Sequence, residues 1–241
     1  MTANRKEFLS EPLWAFAPRT AEGGCPYATI TMPYANAPAA IVAKKPDGMS
    51  HAEAAALALA GLTALVSVED TLELKPGETI LIQGGAGGVA SFAIQLAKHL
   101  GARVITTAST ANLPYVRNIG ADEVIDYKTT DFTKVVKNCD AVFDTVGGDV
   151  ATRSFAVLKP GGRAAFIASG AQAPKPERSD VTALRPAVPR DRPHLERIAE
   201  LCQLGAIRPP HVTLFGLSKA VDALRVSEGR HLKGKLVLKM R

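Results

Sequence analysis

The sequence predicts a doubly wound α/β fold, a parallel sheet covered by helices on both faces, and three observations carry the prediction. Between Thr79 and Ala168, short β-branched runs alternate with stretches of helical spacing, the pattern of strands joined by crossover helices rather than hairpins. A glycine-rich turn at Gly85–Gly88 stands directly between the first such run and the first helix. The 241 residues, 46% hydrophobic and 22% charged, suffice for one large α/β domain, alone or with a smaller lobe.

Taken in order, strands are expected at Thr79–Gln83, Arg103–Thr107, Glu123–Tyr127, Ala141–Asp144 and Arg163–Ile167, with a weaker sixth at Val181–Val188. Val89, Phe92, Ala93, Leu96, Ala97 and Leu100 recur at helical spacing and stop at Gly101, so strand, turn, helix and strand follow one another. Right-handed crossovers place such strands in one sheet whose ligand crevice lies beyond their carboxyl ends. Upstream, His51–Val68 reads as an Ala-rich helix pair broken near Gly61, and Lys75-Pro76-Gly77-Glu78 as the turn into the first strand. Pro26, Pro33, Pro38 and Pro46 leave room only for short strands, Ala28–Thr31 and Ala40–Ala43. Downstream, Ala171–Ser179 is a polar loop, Arg190–Leu204 and Leu217–Ser227 are helical, and Lys235–Lys239 is the last strand.

Composition excludes several classes. No run of eighteen apolar residues occurs, and Met1–Pro12 mixes charges without an apolar stretch, so neither a membrane span nor a signal peptide is expected and the address is read as cytoplasmic. Cys25, Cys139 and Cys202 are too few and too scattered for a disulfide framework or a four-thiolate zinc lobe. His51, His99, His194, His211 and His231 form no HExxH pattern, so no metal ligands are assigned. The net charge of +6 concentrates in residues 175–241, with fourteen Lys/Arg against seven Asp/Glu; a solvated face is the plainer reading, an anionic ligand the sharper one.

The chemistry-bearing motif is Gly85-Ala86-Gly87-Gly88-Val89-Ala90, a G-x-G-x-x-A run after a strand and at a helix start. The first glycine is expected to permit the tight turn, the second the approach of a pyrophosphate, and Ala90 close helix–strand packing. The helix N-terminus then offers N–H groups and partial positive charge to phosphates. About twenty residues on, where NAD-binding versions carry an acid, stands Thr106-Thr107-Ala108-Ser109-Thr110. With no carboxylate to repel a 2′-phosphate, and with Ser109 and Thr110 able to donate to one, NADP(H) is expected over NAD(H). Other patterns fail on context. Gly229 to Lys235 imitates a P-loop, but Leu236 replaces the Ser/Thr and a strand follows; Ser169 lacks the first glycine of a G-x-S-x-G elbow.

The segments LALAGLTAL (57–65), LKPGETILIQGGAGGVASFAIQLAKHLGARVITTAS (74–109), IGADEVIDY (119–127), FDTVGG (143–148), LKPGGRAAFIAS (158–169) and GRHLKGKLVLKM (229–240) together resemble the medium-chain dehydrogenase/reductase superfamily. The resemblance is to its zinc-independent, NADP-dependent quinone oxidoreductase branch, similar to zeta-crystallin. It implies a Rossmann domain at 49–208, a remnant of a GroES-like substrate domain at 1–48, and a C-terminal segment, 209–241, that returns to that lobe. It further implies that Ala86, Gly87, Gly88 and Val89 hold the pyrophosphate, that Ser109 faces the 2′-phosphate and that Tyr127 packs near the adenosine ribose. Thr63 would lie by the nicotinamide, with Thr145 and Val146 near the cofactor after the fourth strand.

The implied activity is hydride transfer from NADPH to a quinone, enone or similar conjugated carbonyl, with no catalytic proton donor assignable. Because most of the GroES-like lobe is unmatched, weak turnover is expected. Unpaired edges at residues 22–43 and Lys235–Lys239 favour a homodimer over a monomer. The competing reading is a non-enzymatic NADPH- or RNA-binding protein; the chain lacks RRM, KH or aromatic-rich features, which disfavours RNA.

Overall fold

The computed structural model describes residues 13–15, 28–31, 37–170, 172–229 and 232–240. Cys25, Pro26, Pro33 and His231 lie outside the described residues.

In chain order the elements are β1 (Leu13–Ala15), β2 (Ala28–Thr31), β3 (Val42–Lys44), α1 (His51–Leu65), β4 (Thr79–Gln83), α2 (Gly88–His99), β5 (Arg103–Ala108), α3 (Leu113–Asn118) and β6 (Glu123–Asp126). They continue as α4 (Phe132–Val135), β7 (Cys139–Asp144), α5 (Gly148–Arg153), β8 (Leu158–Phe166), β9 (Thr182–Leu184), α6 (Arg192–Gln203), β10 (Val212–Gly216), α7 (Ala220–Glu228) and β11 (Lys235–Lys239).

The central sheet is parallel throughout, in the order β6-β5-β4-β7-β8-β9. The expected α/β fold and its six strands are therefore present. Strand periodicity decides which side chain meets which layer. Ile80, Ile82, Val104, Ala141, Phe143 and Ala165 face a core shared with α1, α2 and α6. Leu81, Ile105, Ile125, Val142, Ala164 and Phe166 face a second core built with Phe132, Ala151 and Phe155. Burial on both faces is why these strands read as apolar runs rather than alternations.

The amino ends of the strands are stapled by charge. Thr79 N donates to Asp140 Oδ2 at 2.8 Å, Lys98 pairs with Asp122 at 2.8 Å, Arg103 with Glu123 at 2.8 Å and Arg163 with Glu78 at 2.7 Å. A second, three-stranded parallel sheet, β10-β11-β2, lies beside the first.

Several expectations are corrected. Residues 51–65 form one unbroken helix, opened by a Ser50–Glu53 capping box and prolonged by a π-helical stretch, Val66–Thr71. Gly61 does not break it. A Cβ there would meet Ile198 Cδ1 at 3.1 Å and Phe92 Cε2 at 3.3 Å, so this glycine lets α2 and α6 approach closely. By length and composition His51–Thr71 could cross a membrane, yet 67% of its apolar window is buried in the fold, which accounts for its apolarity as core packing. The strand expected at Ala40–Ala43 is shifted to Val42–Lys44, because Ala39–Ile41 turn in a 3-10 helix after Pro38. The sixth strand stops at Leu184, two residues before Pro186, which cannot donate to a ladder. Lys235–Lys239 is a strand as expected, but it lies between β10 and β2 and is not an edge. Neither β1 nor β10 was anticipated.

The N-terminus of α6 is tied to the π-helical stretch through His194. Its backbone N and Nδ1 meet the N-cap Asp191 Oδ1 at 3.1 and 2.7 Å, while Nε2 meets Asp70 Oδ2 at 3.0 Å. Burial works to lower the imidazole pKa, but the bonds to both carboxylates outweigh it and the balance is upward. A raised folded-state pKa stabilises the fold fully below the unfolded value of about 6.5 and is lost as pH rises through the folded one. The stability gap between the wild type and His194→Gln, measured by urea unfolding from acid to alkaline pH, should therefore be widest at the acid side of neutrality and shrink as pH rises. A gap independent of pH would show that protonation of His194 is not what ties α6 down.

Candidate functional site

β4 is where the sheet order reverses: the chain leaves it for β5 on one side and, after β6, crosses to β7 on the other. The carboxyl ends of β4 and β7 thus flank the crevice in which doubly wound folds bind their ligands. Gly84 to Gly87 turn at the end of β4 and α2 begins at Gly88, with Gly87 as an N-cap that has no side-chain capping bond. The first intrahelical bond runs from Ser91 N to Gly87 O at 2.8 Å. The N–H groups of Gly88, Val89 and Ala90 therefore have no acceptor inside the helix, and the helix dipole adds partial positive charge there. Such an end suits an anion.

The glycines differ in what they permit. The left-handed residue of the turn is Gly84, at φ 74°, not Gly85 as the motif suggested. Gly85 is glycine because a Cβ would overlap Thr106 Oγ1, and Gly88 because a Cβ would lie 2.5 Å from Lys235 Cε. Ala90, fully buried, packs in the core under the turn as expected of the third small residue.

Below the turn runs a buried polar relay. Gly84 N donates to Thr107 Oγ1 (3.1 Å), Thr107 Oγ1 to Gln83 Oε1 (2.7 Å), Gln83 Nε2 to Ser154 Oγ (3.2 Å) and Ser154 Oγ to Val150 O (2.8 Å). On the β7 side, Thr145 Oγ1 donates to Gln83 O at 2.8 Å, and Thr145 and Val146 press on Gly84, where a Cβ would be 3.0 Å from each. Buried Asp144 fixes this loop by accepting from Val146 N (3.2 Å) and Gly147 N (2.9 Å). Burial raises its pKa, and those two N–H groups oppose the rise. Ser169 Oγ, beyond β8, is buried with no hydrogen-bond partner among the described residues.

With this geometry the chain can be set beside known proteins. A family described as zinc-binding dehydrogenases matches residues 119–238. A quinone oxidoreductase of known structure from Coxiella burnetii is 34% identical, over 83% of this chain and 64% of that one, with a TM-score of 0.76. In sequence and fold the chain is similar to the medium-chain dehydrogenase/reductase superfamily. It is also 37% identical over 203 residues to a 2-methylene-furan-3-one reductase from Solanum lycopersicum, covering 82% of this chain and 49% of that protein. An NADPH-dependent alkenal/one oxidoreductase, chloroplastic, from Arabidopsis thaliana is 35% identical over 202 residues, 82% of this chain and 50% of the other. The chain thus spans about half the length of these curated relatives.

The superfamily motif residues fall into two groups. Gly85, Ala86, Gly87, Gly88, Val89, Thr145 and Val146 come together at the β4–β7 crevice. Ser109 caps the end of β5, where its Oγ accepts from Asn112 Nδ2 at 3.2 Å, and half-exposed Tyr127 is held alongside by its N–H on Ala108 O at 3.2 Å. Thr63 is inside α1 and donates to Leu59 O at 2.8 Å, so its proton is spent within its own helix. Thr110 is likewise engaged, donating to Asp126 Oδ2. That carboxylate stands across the ladder from Ala108, and the Thr110 hydroxyl, followed by Lys128 N, holds its pKa down.

Zinc, which the family's description implies, does not fit the described residues. They contain no group of three or more His, Cys, Asp or Glu able to hold a metal. Burial pushes the Cys139 thiol up to about 12 and the Cys202 thiol up to about 11, away from the thiolate that zinc needs.

Sequence reasoning missed Gly84, Asp144 and the relay. The doublet Gly84-Gly85 and the acid in FDTVGG were visible signals; the relay was not, since Thr107, Gln83 and Ser154 are far apart in the chain. If the relay holds the turn, Thr107→Val leaves buried donors and acceptors unpaired at a cost of about 1–3 kcal/mol. The expected loss in Tm is roughly 2–12 °C for a chain of this size, whereas Thr107→Ser, which keeps the hydroxyl, should lose less. Equal melting of the two variants would argue against the relay.

Proposed function

We propose that this protein is a nicotinamide-dependent reductase that uses NADPH to reduce a conjugated carbonyl, a quinone or enone, without a metal. The observation that carries the proposal is the glycine turn and uncapped N-terminus of α2 at the point where the sheet order reverses. The names of the relatives support the acceptor class, since they reduce quinones, alkenals or enones, and one of them names NADPH.

In this reading the backbone N–H groups of Gly88 and Val89, with Ala86 and Gly87 behind them, hold the pyrophosphate. Ser109 donates to the 2′-phosphate, its oxygen already accepting from Asn112 and its proton left to give. Tyr127 flanks the adenosine ribose. When bound, the cofactor supplies a hydride from the nicotinamide. The chain supplies position and exclusion of water. Thr145, its proton committed to Gln83 O, can only accept at the nicotinamide end, and the Asp144 bonds keep it there. Ser169 Oγ, buried without a partner among the described residues, is a hydroxyl on the neighbouring carboxyl end of the sheet. Thr63 adds a lone pair rather than a proton, because its hydroxyl donates into α1.

NADPH should bind more tightly than NADH, and Ser109→Asp should erase or reverse the preference by setting a carboxylate against the 2′-phosphate. Titration of both nucleotides by calorimetry decides this: equal affinities would remove the NADP assignment, and binding of neither would remove the whole reading. A quinone and enone panel with NADPH oxidation as the readout then tests the acceptor class.

A further inference from the structure

The C-terminal sheet reaches the nucleotide turn through three residues, Lys233, Gly234 and Lys235. Gly234 forms a parallel bridge with Gly87 and donates its N–H to Ala86 O at 2.8 Å. It is left-handed, at φ 70°, and any Cβ would overlap His211 O. A larger residue could not come this close. Lys235, 7% exposed, lays its hydrocarbon chain over Gly88. Lys233 is exposed and holds its ammonium 4.7 Å from the centroid of the Tyr115 ring. Tyr115 packs against the small apolar cluster of Ala86, Ala108 and Val116, which joins the glycine turn to the end of β5. The ammonium is thus held on a ring whose cluster includes Ala86 of the glycine turn and Ala108, the residue before Ser109.

We propose that Lys233 is the cation that recognises the 2′-phosphate of NADPH, delivered by a strap, Lys233–Gly234–Lys235, sewn onto the glycine turn. The inference rests on the cofactor reading above and deepens it. At the end of β5 the recognition so far rests on Ser109 alone, while the Asp126 carboxylate one strand away opposes a phosphate. A phosphate dianion beside it needs a positive charge. An exposed cation–π contact is worth about 0.5–1 kcal/mol, less than a charge-assisted bond to phosphate. The ammonium thus leaves the ring for the phosphate when NADPH binds and stays on it when NADH binds. Tyr115 acts as its resting place and keeps the side chain near the turn.

The test is calorimetric titration of NADPH and NADH into the wild type, Lys233→Ala and Lys233→Arg, with melting of each protein without nucleotide. Lys233→Ala should weaken NADPH about tenfold, the loss of one charge-assisted bond, leave NADH within about twofold, and lower the melting temperature by only about 1–4 °C, the loss of the cation–π contact. Lys233→Arg should restore most of the NADPH affinity. An unchanged NADPH-to-NADH ratio in Lys233→Ala, or equal weakening of both, overturns the assignment while the cofactor reading stands. Failure of the wild type to bind either nucleotide overturns both.

Discussion

The site depends on a chain of four hydrogen bonds that carries the backbone N–H of Gly84 through Thr107 and Gln83 to Ser154 and ends on Val150 O. Gln83, Thr107 and Ser154 are all buried, and at that depth an unpaired polar group costs far more than a paired one gains. Every donor in the chain faces an acceptor, so moving any member strands its neighbours. The relay links the end of β4 to β5 on one side and to α5 on the other, across the point where the sheet order reverses. A turn made of glycines has little stiffness of its own. Here stiffness is supplied from below, and the three N–H groups at the start of α2 hold a fixed direction without a ligand.

The two ends of the sheet solve different problems. At the amino ends, ion pairs tie strands to connections: Lys98 with Asp122, partly exposed, contributes modestly, whereas Arg163 grips both carboxylate oxygens of Glu78 and is largely buried. At the carboxyl ends, hydroxyls and backbone N–H groups predominate, and the buried carboxylate of Asp144 is turned inward onto its own loop. An anionic cofactor meets donors there rather than lysine–carboxylate pairs that it would first have to break.

How much of this was legible follows from what kind of information each feature needs. The strands at Thr79–Gln83 and Lys235–Lys239 match residue for residue, because a run between turn residues is local. Gly61 was misread because the same residue that ends helices also lets them pack closely, and only the position of Ile198, far along the chain, tells which. The stretch Thr106–Thr110 at the end of β5 carries no acid of its own. Asp126 arrives through strand register, Ala108 opposite Asp126, which sequence spacing does not reveal. The turn at Gly84–Gly87 is legible because it lies within one βαβ unit, whereas the acceptors already taken by the protons of Thr63 and Thr110 are set by the folded chain.

The C-terminal strand shows why a motif read in isolation mistakes its own requirements. In the G-x-G-x-x-A pattern position 88 is unrestricted, and the approach of phosphate is ascribed to Gly87. The structure gives the reason for a glycine at 88: the buried side chain of Lys235 occupies the place of its Cβ. Gly234 in turn must be glycine because His211 O fills the space beside it, while its N–H closes on Ala86 O. These constraints interlock, since a side chain at either glycine would push β11 off the turn and open the joint between the two sheets. The glycine turn is thus not self-contained. Its local sequence makes the turn, the relay fixes its floor, and residues about 150 positions later form its wall, so the turn and the C-terminal sheet are constrained as one packed unit.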